Sequence, residues 1–192
     1  MARCRYPILL LAAVGPVAAS LPAQAGHPPG PEAPSAKIAV FTAALYNDQA
    51  NLREATDSAQ AAIATEVLRA RLRERLGDQV LPFAAIDSLQ RTPAALSLAG
   101  GVPCNVRVAC ALSVGLALGA RWIVLTKVSK TSNLIWLLSG QLIRVATGSI
   151  ILDDSTELKG EPGRMARTGT RIFADRVVRT VQQGGYTTNF PQ

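Results

Sequence analysis

"NVRVACALSVGLALGARWIVLTKVSK", residues 105 to 130, changes character partway along. From Asn105 to Leu118 it is apolar almost all round a helical projection, the pattern of a helix buried on both sides. Gly119 closes that helix, and from Arg121 a β-branched run reads as a strand through Lys130. A buried helix followed at once by a strand is the alternation of an α/β layered protein.

Working outward, the same alternation continues on both sides. Upstream, "KIAVF" (Lys37 to Phe41) is a short apolar strand, and the stretch from Ser58 to Leu76 is a helix carrying Ile63, Val67, Leu68, Leu72 and Leu76 inward, with Gly77 after it. "QVLPF" (Gln79 to Phe83) reads as a second strand, and Pro82 puts it at an edge. Downstream, "NLIWLLSGQLIRVA" and "SIILDDSTEL" are two extended stretches joined by a hairpin turn at Thr147 and Gly148. The last helix runs from about Arg164 to Gln183, with Phe173, Val177 and Val181 on one face and Gly184 closing it. The order β-α-β-α-β-β-β-α predicts a mixed sheet with helices packed on it, an α/β (α+β layered) fold over residues 37–183, followed by a tail, 184–192.

The N-terminus sets the compartment. Arg3 and Arg5 precede an apolar run from Ile8 to Ala19, and "LPAQA" places Ala23 and Ala25 for cleavage before Gly26, so residues 1–25 read as a cleavable signal peptide. The run is shorter than the ~20 apolar residues that span a bilayer, and Cys4 precedes it, where an acylated lipoprotein cysteine would follow. A periplasmic, unanchored protein is expected, with a Pro/Gly-rich leader over 26–36. Removing Arg3 and Arg5 from the 20 basic residues leaves 18 against 13 acidic ones, a formal charge of +5. Outside the cytoplasm such a charge points to an acidic protein, cell-wall polymer or lipid headgroup rather than to nucleic acid.

In an oxidising compartment the two remaining cysteines, Cys104 and Cys110, are disulfide candidates. Their C-x₅-C spacing is not the C-x-x-C of thioredoxin-like redox sites, and no second Cys or His cluster completes a metal site. Six residues of helix advance ~9 Å, beyond the ~6.8 Å reach of bridged Cα atoms. Cys104 must therefore precede the helix and fold back, with Asn105 as N-cap and Cys110 in the first turns.

Several chemistries are excluded by residue type. The only histidine, His27, lies in the leader, so a Ser-His-Asp or Cys-His triad lacks its base and His-based zinc catalysis its ligands. Pro28 removes the backbone amide that a Gly-His copper site would use. Asp153 and Asp154 point to opposite faces of their strand, while Asp153 and Glu157 are ~13 Å apart along it, beyond the ~9.5 Å limit of a glycosidase pair. No phosphate loop occurs, and no metal or cofactor is expected. Trp122 and Trp136 fall in strands and read as core residues.

Two candidate sites remain. Asp48 and Asp87 follow the first two expected strands and would line a ligand crevice if those strands are parallel; the competing reading is a pair of loop Asx-turns. Arg164, Arg167 and Arg171 fall at i, i+3, i+7 on the last helix, a stripe for a partner or an anion, with no acid until Asp175. Arg69 with Arg73 and Arg71 with Arg75, relieved by Glu66 and Glu74, read as a solvated face.

The succession "KVSKTSNLIWLL" (Lys127 to Leu138), "ATG" (Ala146 to Gly148) and "LKG" (Leu158 to Gly160) resembles a proteobacterial family of secreted proteins of unknown function, as do the two cysteines before "LGARWIVLTKV". The plan is also similar to the small N-terminal domain of TolB and to domains of outer-membrane assembly and cell-wall-synthase activator proteins. Where the family pattern has a polar stretch ending in Trp, this chain has "EPGRMAR" (Glu161 to Arg167). The resemblance implies docking rather than chemistry: a non-catalytic accessory domain that binds another periplasmic or outer-membrane protein, with at most peripheral membrane contact. The alternative is a small-ligand binder or enzyme at Asp48 and Asp87.

Peptide mapping without reductant is expected to return Cys104 and Cys110 in one linked fragment and a mature N-terminus at Gly26. Replacing both cysteines with serine costs about 2 kcal/mol in the chain-entropy account of so short a loop; two free thiols in the native protein would refute the staple.

Overall fold

The computed structural model describes residues 36–47, 56–132 and 134–185; the expected signal peptide and leader with His27, Asp48 and residues 186–192 lie outside them. Strand β3 (Trp122–Lys130) is central. Along one side it pairs in parallel first with β1 (Ile38–Val40) and then with β2 (Ala44–Asn47); along the other it pairs antiparallel with β4 (Ile135–Arg144), which pairs antiparallel with β5 (Ile150–Lys159). The expected mixed sheet with packed helices is what the chain forms. β4 and β5 are joined at the expected hairpin, where Gly148 takes φ +67° and its N–H donates to the Arg144 carbonyl.

Helices cover both faces. On one lie α1 (Asp57–Leu76) and α5 (Pro162–Gln182), packed over Ile38, Val40, Trp122, Val124, Val128, Leu138 and Leu142. On the other, α2 (Phe83–Leu89), α3 (Pro93–Ala99) and α4 (Val108–Ala117) pack over Ala39, Phe41, Ile123, Leu125 and Ile143. Phe173, Val177 and Val181 of α5 are buried as their spacing predicts. In α1 the inward row is Ala61, Ala64, Leu68, Leu72 and Leu76, while Ile63 and Val67 are only half-buried at its margin. Both tryptophans are buried.

Three expectations are corrected. "QVLPF" is not a strand: Val80 makes one isolated bridge to Ile38, and Pro82, with no N–H to extend a ladder, precedes the first turn of α2. Phe83 is the first residue of α2, and the guanidinium groups of Arg69 and Arg73 stack on its ring, 4.6 and 4.5 Å from the centroid. Two seven-residue helices, α2 and α3, follow Pro82. Asn105 does not cap α4, which begins at Val108 after Arg107; its amide donates instead to the carbonyl and hydroxyl of Thr42, at 3.0 and 3.1 Å. Nor is α4 buried all round, since Leu116 is 72% exposed while Cys110, Ala111, Val114 and Gly115 face the core. The staple itself has the expected geometry: Cys104 precedes the helix, Cys110 lies in its first turn, and their Cα atoms are 5.3 Å apart.

Two contacts lock the first helical layer. Lys130, at the end of β3, is buried and donates to both carboxylate oxygens of Asp57 at the start of α1, at 3.0 and 3.2 Å. Such a pair offsets the cost of desolvating two charges only through close geometry, and here the helix N-terminus adds its favourable dipole to the carboxylate. Gly140 of β4 supplies the second, because a Cβ there would stand 2.4 Å from Cζ of Phe173. The ring of α5 rests on bare backbone.

Gly140→Ala is expected to destabilise the protein by about 1–3 kcal/mol through overpacking, read as a lowered denaturation midpoint. Adding Phe173→Leu should recover part of that loss. An unchanged midpoint for Gly140→Ala would overturn the close approach.

Candidate functional site

The first turns of α5 are built from "EPGRMAR" (Glu161 to Arg167). Glu161 is the N-cap and Pro162 the first helical residue, a position where the missing N–H costs nothing. The Glu161 carboxylate accepts from the backbone N–H groups of Gly163 and Arg164, at 2.9 and 2.6 Å. These bonds, the one from Arg164 first, hold its carboxyl below the usual carboxylate range, and the charges of Arg164 and Arg167 act in the same direction.

Arg164, Arg167 and Arg171 are all exposed along the outer side of α5, and among the described residues none of them has an ion-pair partner. The other half of the helix is different: Asp175 takes Arg71 and Arg75 of α1, at 2.9 and 3.7 Å, and Arg176 pairs with Asp154 of β5. Cations near a helix N-terminus are disfavoured by its dipole. The chain nevertheless places two of them, Arg164 and Arg167, within two turns of that end, offset locally only by Glu161. Arg171 borders a groove against α1 that also contains Glu66, Arg71 and Glu74, so the stripe ends in a mixed-charge recess.

The arginines of α1 divide: Arg73 and Arg75 are exposed, as a solvated face requires, while Arg69 and Arg71 are partly buried. Arg69 is buried on most of its surface, with a fork to Asp87 at 2.8 and 3.0 Å and a bond to the Val40 carbonyl at 3.2 Å. Arg71 bonds Asp175. Asp87 therefore lies in α2, not beyond a second strand, and its carboxylate also accepts from Gln90 at 3.2 Å, so it ties α2 to α1. Asp48, the other member of the proposed crevice, lies outside the described residues.

A second concavity lies on the opposite side of the sheet. The helices α2 to α4 cover only part of that face, and where α4 begins they leave a cleft of about 240 Å³. Its floor is Leu125, Lys127, Ser139, Gln141 and Asp153, and one wall is Asn105, Val106 and Val108. As expected, Asp153 and Asp154 point to opposite faces: Asp153 lines this cleft while Asp154 bonds Arg176 of α5. Sequence reasoning missed the cleft, although Ser139 and Gln141, polar at period two in an otherwise apolar strand, signal a face that no helix covers.

The chain belongs to the family described as "Protein of unknown function (DUF2380)", whose profile matches residues 36–177. No curated protein matches it in sequence. Among solved structures it is similar to the LpoB C-terminal domain from Salmonella enterica, with 17% identity over 66% of this chain and 84% of that one and a TM-score of 0.47. TolB from Acinetobacter baumannii is similar at 14% identity, over 77% of this chain and 28% of that one, with a TM-score of 0.43. The lipoprotein GNA1162 from Neisseria meningitidis is similar at 11% identity, over 77% and 99%, with a TM-score of 0.44. The likeness to all three is one of fold. Among the described residues no helix is long and apolar enough to cross a membrane.

The Glu161 carboxyl, depressed in the folded state, contributes stability above the ordinary Glu pKa, and that contribution is lost as pH falls through the folded value. A carboxyl-detected NMR titration is expected to place Glu161 below an unstructured glutamate, and Glu161→Gln to flatten its share of the acid limb of the stability curve. A titration at the ordinary value would refute the cap's electrostatic role.

Proposed function

We propose that this protein is a non-catalytic accessory domain of the bacterial periplasm that docks onto an acidic surface of another envelope protein. The observation that carries this reading is the half-and-half charge pattern of α5. In its C-terminal half Asp175 and Arg176 pair with α1 and β5 and Arg179 is exposed, whereas its N-terminal half holds three arginines, Arg164, Arg167 and Arg171, in solvent without carboxylate partners among the described residues. Unpaired cations on the unfavourable end of a helix give up stability, and an acidic partner restores it. The exported N-terminus and the absence of any histidine beyond His27 are in keeping with docking in that compartment. The alternative, ligand binding at Asp48 and Asp87, is weakened because Arg69 and Gln90 already occupy the Asp87 carboxylate.

Purification of the mature protein from its native periplasm, followed by native mass spectrometry, is expected to reveal a stoichiometric protein partner. Reversing charge with Arg167→Glu and Arg171→Glu should weaken that complex by about tenfold or more, ~1.4 kcal/mol, with the largest change in association rate and its salt dependence. Unchanged co-purification would overturn the role of the stripe, and salt-sensitive binding to anionic vesicles without any protein partner would overturn the docking reading.

A further inference from the structure

We propose that the outer surface of α4 is a lipid-contact face, on which the protein lies against an anionic bilayer with aliphatic side chains at the boundary of headgroups and acyl chains. This surface is independent of the arginine stripe, because α4 covers one face of the sheet and α5 the other.

Apolar side chains that the core does not use gather here. The buried side of α4 is Cys110, Ala111, Val114 and Gly115. Val108, Leu112 and Leu116 recur at i, i+4 and i+8 on a different side, forming one row about 12 Å long. Leu116 is exposed over 72% of its surface, Val108 is exposed as well, and Val106, ahead of the helix, shows half of its surface. Leu112 stands beside the β4–β5 turn, where a Cβ added to Gly148 would lie 3.6 Å from its Cδ1. Just past that turn Ile150, also half-exposed, pairs with Ile143 of this layer's core and so belongs to the same face. Leu96 and Leu98 of α3, which packs against α4, are exposed too. Contiguous exposed aliphatic side chains on a small domain mark a binding surface.

Charge decides what covers it. Between Asp87 and Asp153 the chain contains no aspartate or glutamate. Asp87 is held by Arg69, and Asp153 lies in the cleft behind Val106 and Val108, where it accepts from Gln141 at 3.4 Å. Cations stand beside the row. Arg107 is fixed at the junction of α3 and α4 by its Nε bond to the Ala99 carbonyl, at 3.3 Å, and Lys127 lies on the floor of the cleft. Both are exposed and, among the described residues, neither forms an ion pair. A second copy meeting this face across a two-fold axis would set these cations near their own images, with only Asp153 to answer them. A protein partner requires complementarity only where it touches, whereas lipid phosphates repel acids along the whole surface that faces them. The acid-free run therefore favours lipid: phosphates answer Arg107 and Lys127, and hydrocarbon begins a few ångströms deeper, at the ~5–10 Å depth to which such apolar faces insert.

The test is binding of the mature protein to vesicles containing phosphatidylglycerol, beside vesicles of phosphatidylcholine alone. The anionic vesicles are expected to bind about tenfold more tightly or better, and Leu116→Asp to weaken that binding by a similar factor. Leu116 is exposed, so this variant should keep the melting temperature of the parent. Leu116→Trp is expected to shift its emission to the blue on the vesicles and to be quenched by brominated acyl chains, and Ile172→Trp, exposed on α5, is expected to do neither. Failure to bind anionic vesicles would overturn the proposal, as would quenching at position 172 without quenching at 116, which would assign lipid to the stripe. A dimer that Leu116→Asp dissolves in sedimentation velocity would give the face to a second copy instead. The docking reading stands or falls separately: Arg167→Glu with Arg171→Glu should leave the quenching at position 116 in place, and Leu116→Asp should leave the protein complex intact.

Discussion

Strand β3 has to be covered on both faces, and the rest of the fold follows from how that is done. Trp122, Val124 and Val128 point one way, Ile123 and Leu125 the other, and all five are buried. A strand apolar on both faces cannot lie at a solvated surface, so it must be central with a helical layer on each side. Its edges are filled by β1 and β2 along one side and β4 along the other. Each layer then meets the sheet at a glycine: Gly140 under Phe173 of α5, and Gly115 of α4 over Ile123, where an added Cβ would stand 2.6 Å from the Ile123 methyl. At both points the absence of a side chain lets a large one approach the backbone.

The two layers differ in how they are held. The layer of α1 and α5 is tied by charge as well as by apolar packing, through Lys130 with Asp57, Arg71 with Asp175 and Arg176 with Asp154. The second layer consists of shorter helices stitched by the Cys104–Cys110 bridge, the Arg69–Asp87 fork and the bonds from Asn105 to Thr42. Helices of seven residues are unstable alone, so α2 depends on the Arg69–Asp87 fork and α3 on its packing in this layer and on the bond from Arg107 Nε to the Ala99 carbonyl. Because this layer is small it stops short of the far half of the sheet, and its edge there, at Val106 and Val108, makes the wall of the cleft.

Charge is distributed in keeping with that construction. Arg69, Arg71 and Arg176 meet carboxylates that join elements of the fold, while Arg164, Arg167 and Arg171 on the first half of α5 form an open stripe. The "EPGRMAR" stretch shapes this end, since Glu161 caps the helix and Arg164 and Arg167 follow within two turns. A surface of this kind favours encounter with acidic partners and sets their orientation more than it sets raw affinity.

The sequence by itself determined the elements whose signal is local. The two-sided apolar run of β3, the Thr147–Gly148 hairpin, the Phe173, Val177 and Val181 row and the folding back of Cys104 onto Cys110 each follow from periodicity, turn chemistry or bond reach within a short span. That His27 is the only histidine of the sequence likewise needed no coordinates. Tertiary structure decided what spacing along the chain does not encode. Lys130 and Asp57 meet across 73 residues, Asp87 spends its carboxylate on Arg69, and "QVLPF" ends in a helix whose first residue, Phe83, packs under two arginines. A repeating pattern states which side of an element must be buried; which neighbour buries it, and how much of the sheet that neighbour leaves open, depends on helix lengths and side-chain shapes that meet only in the folded chain.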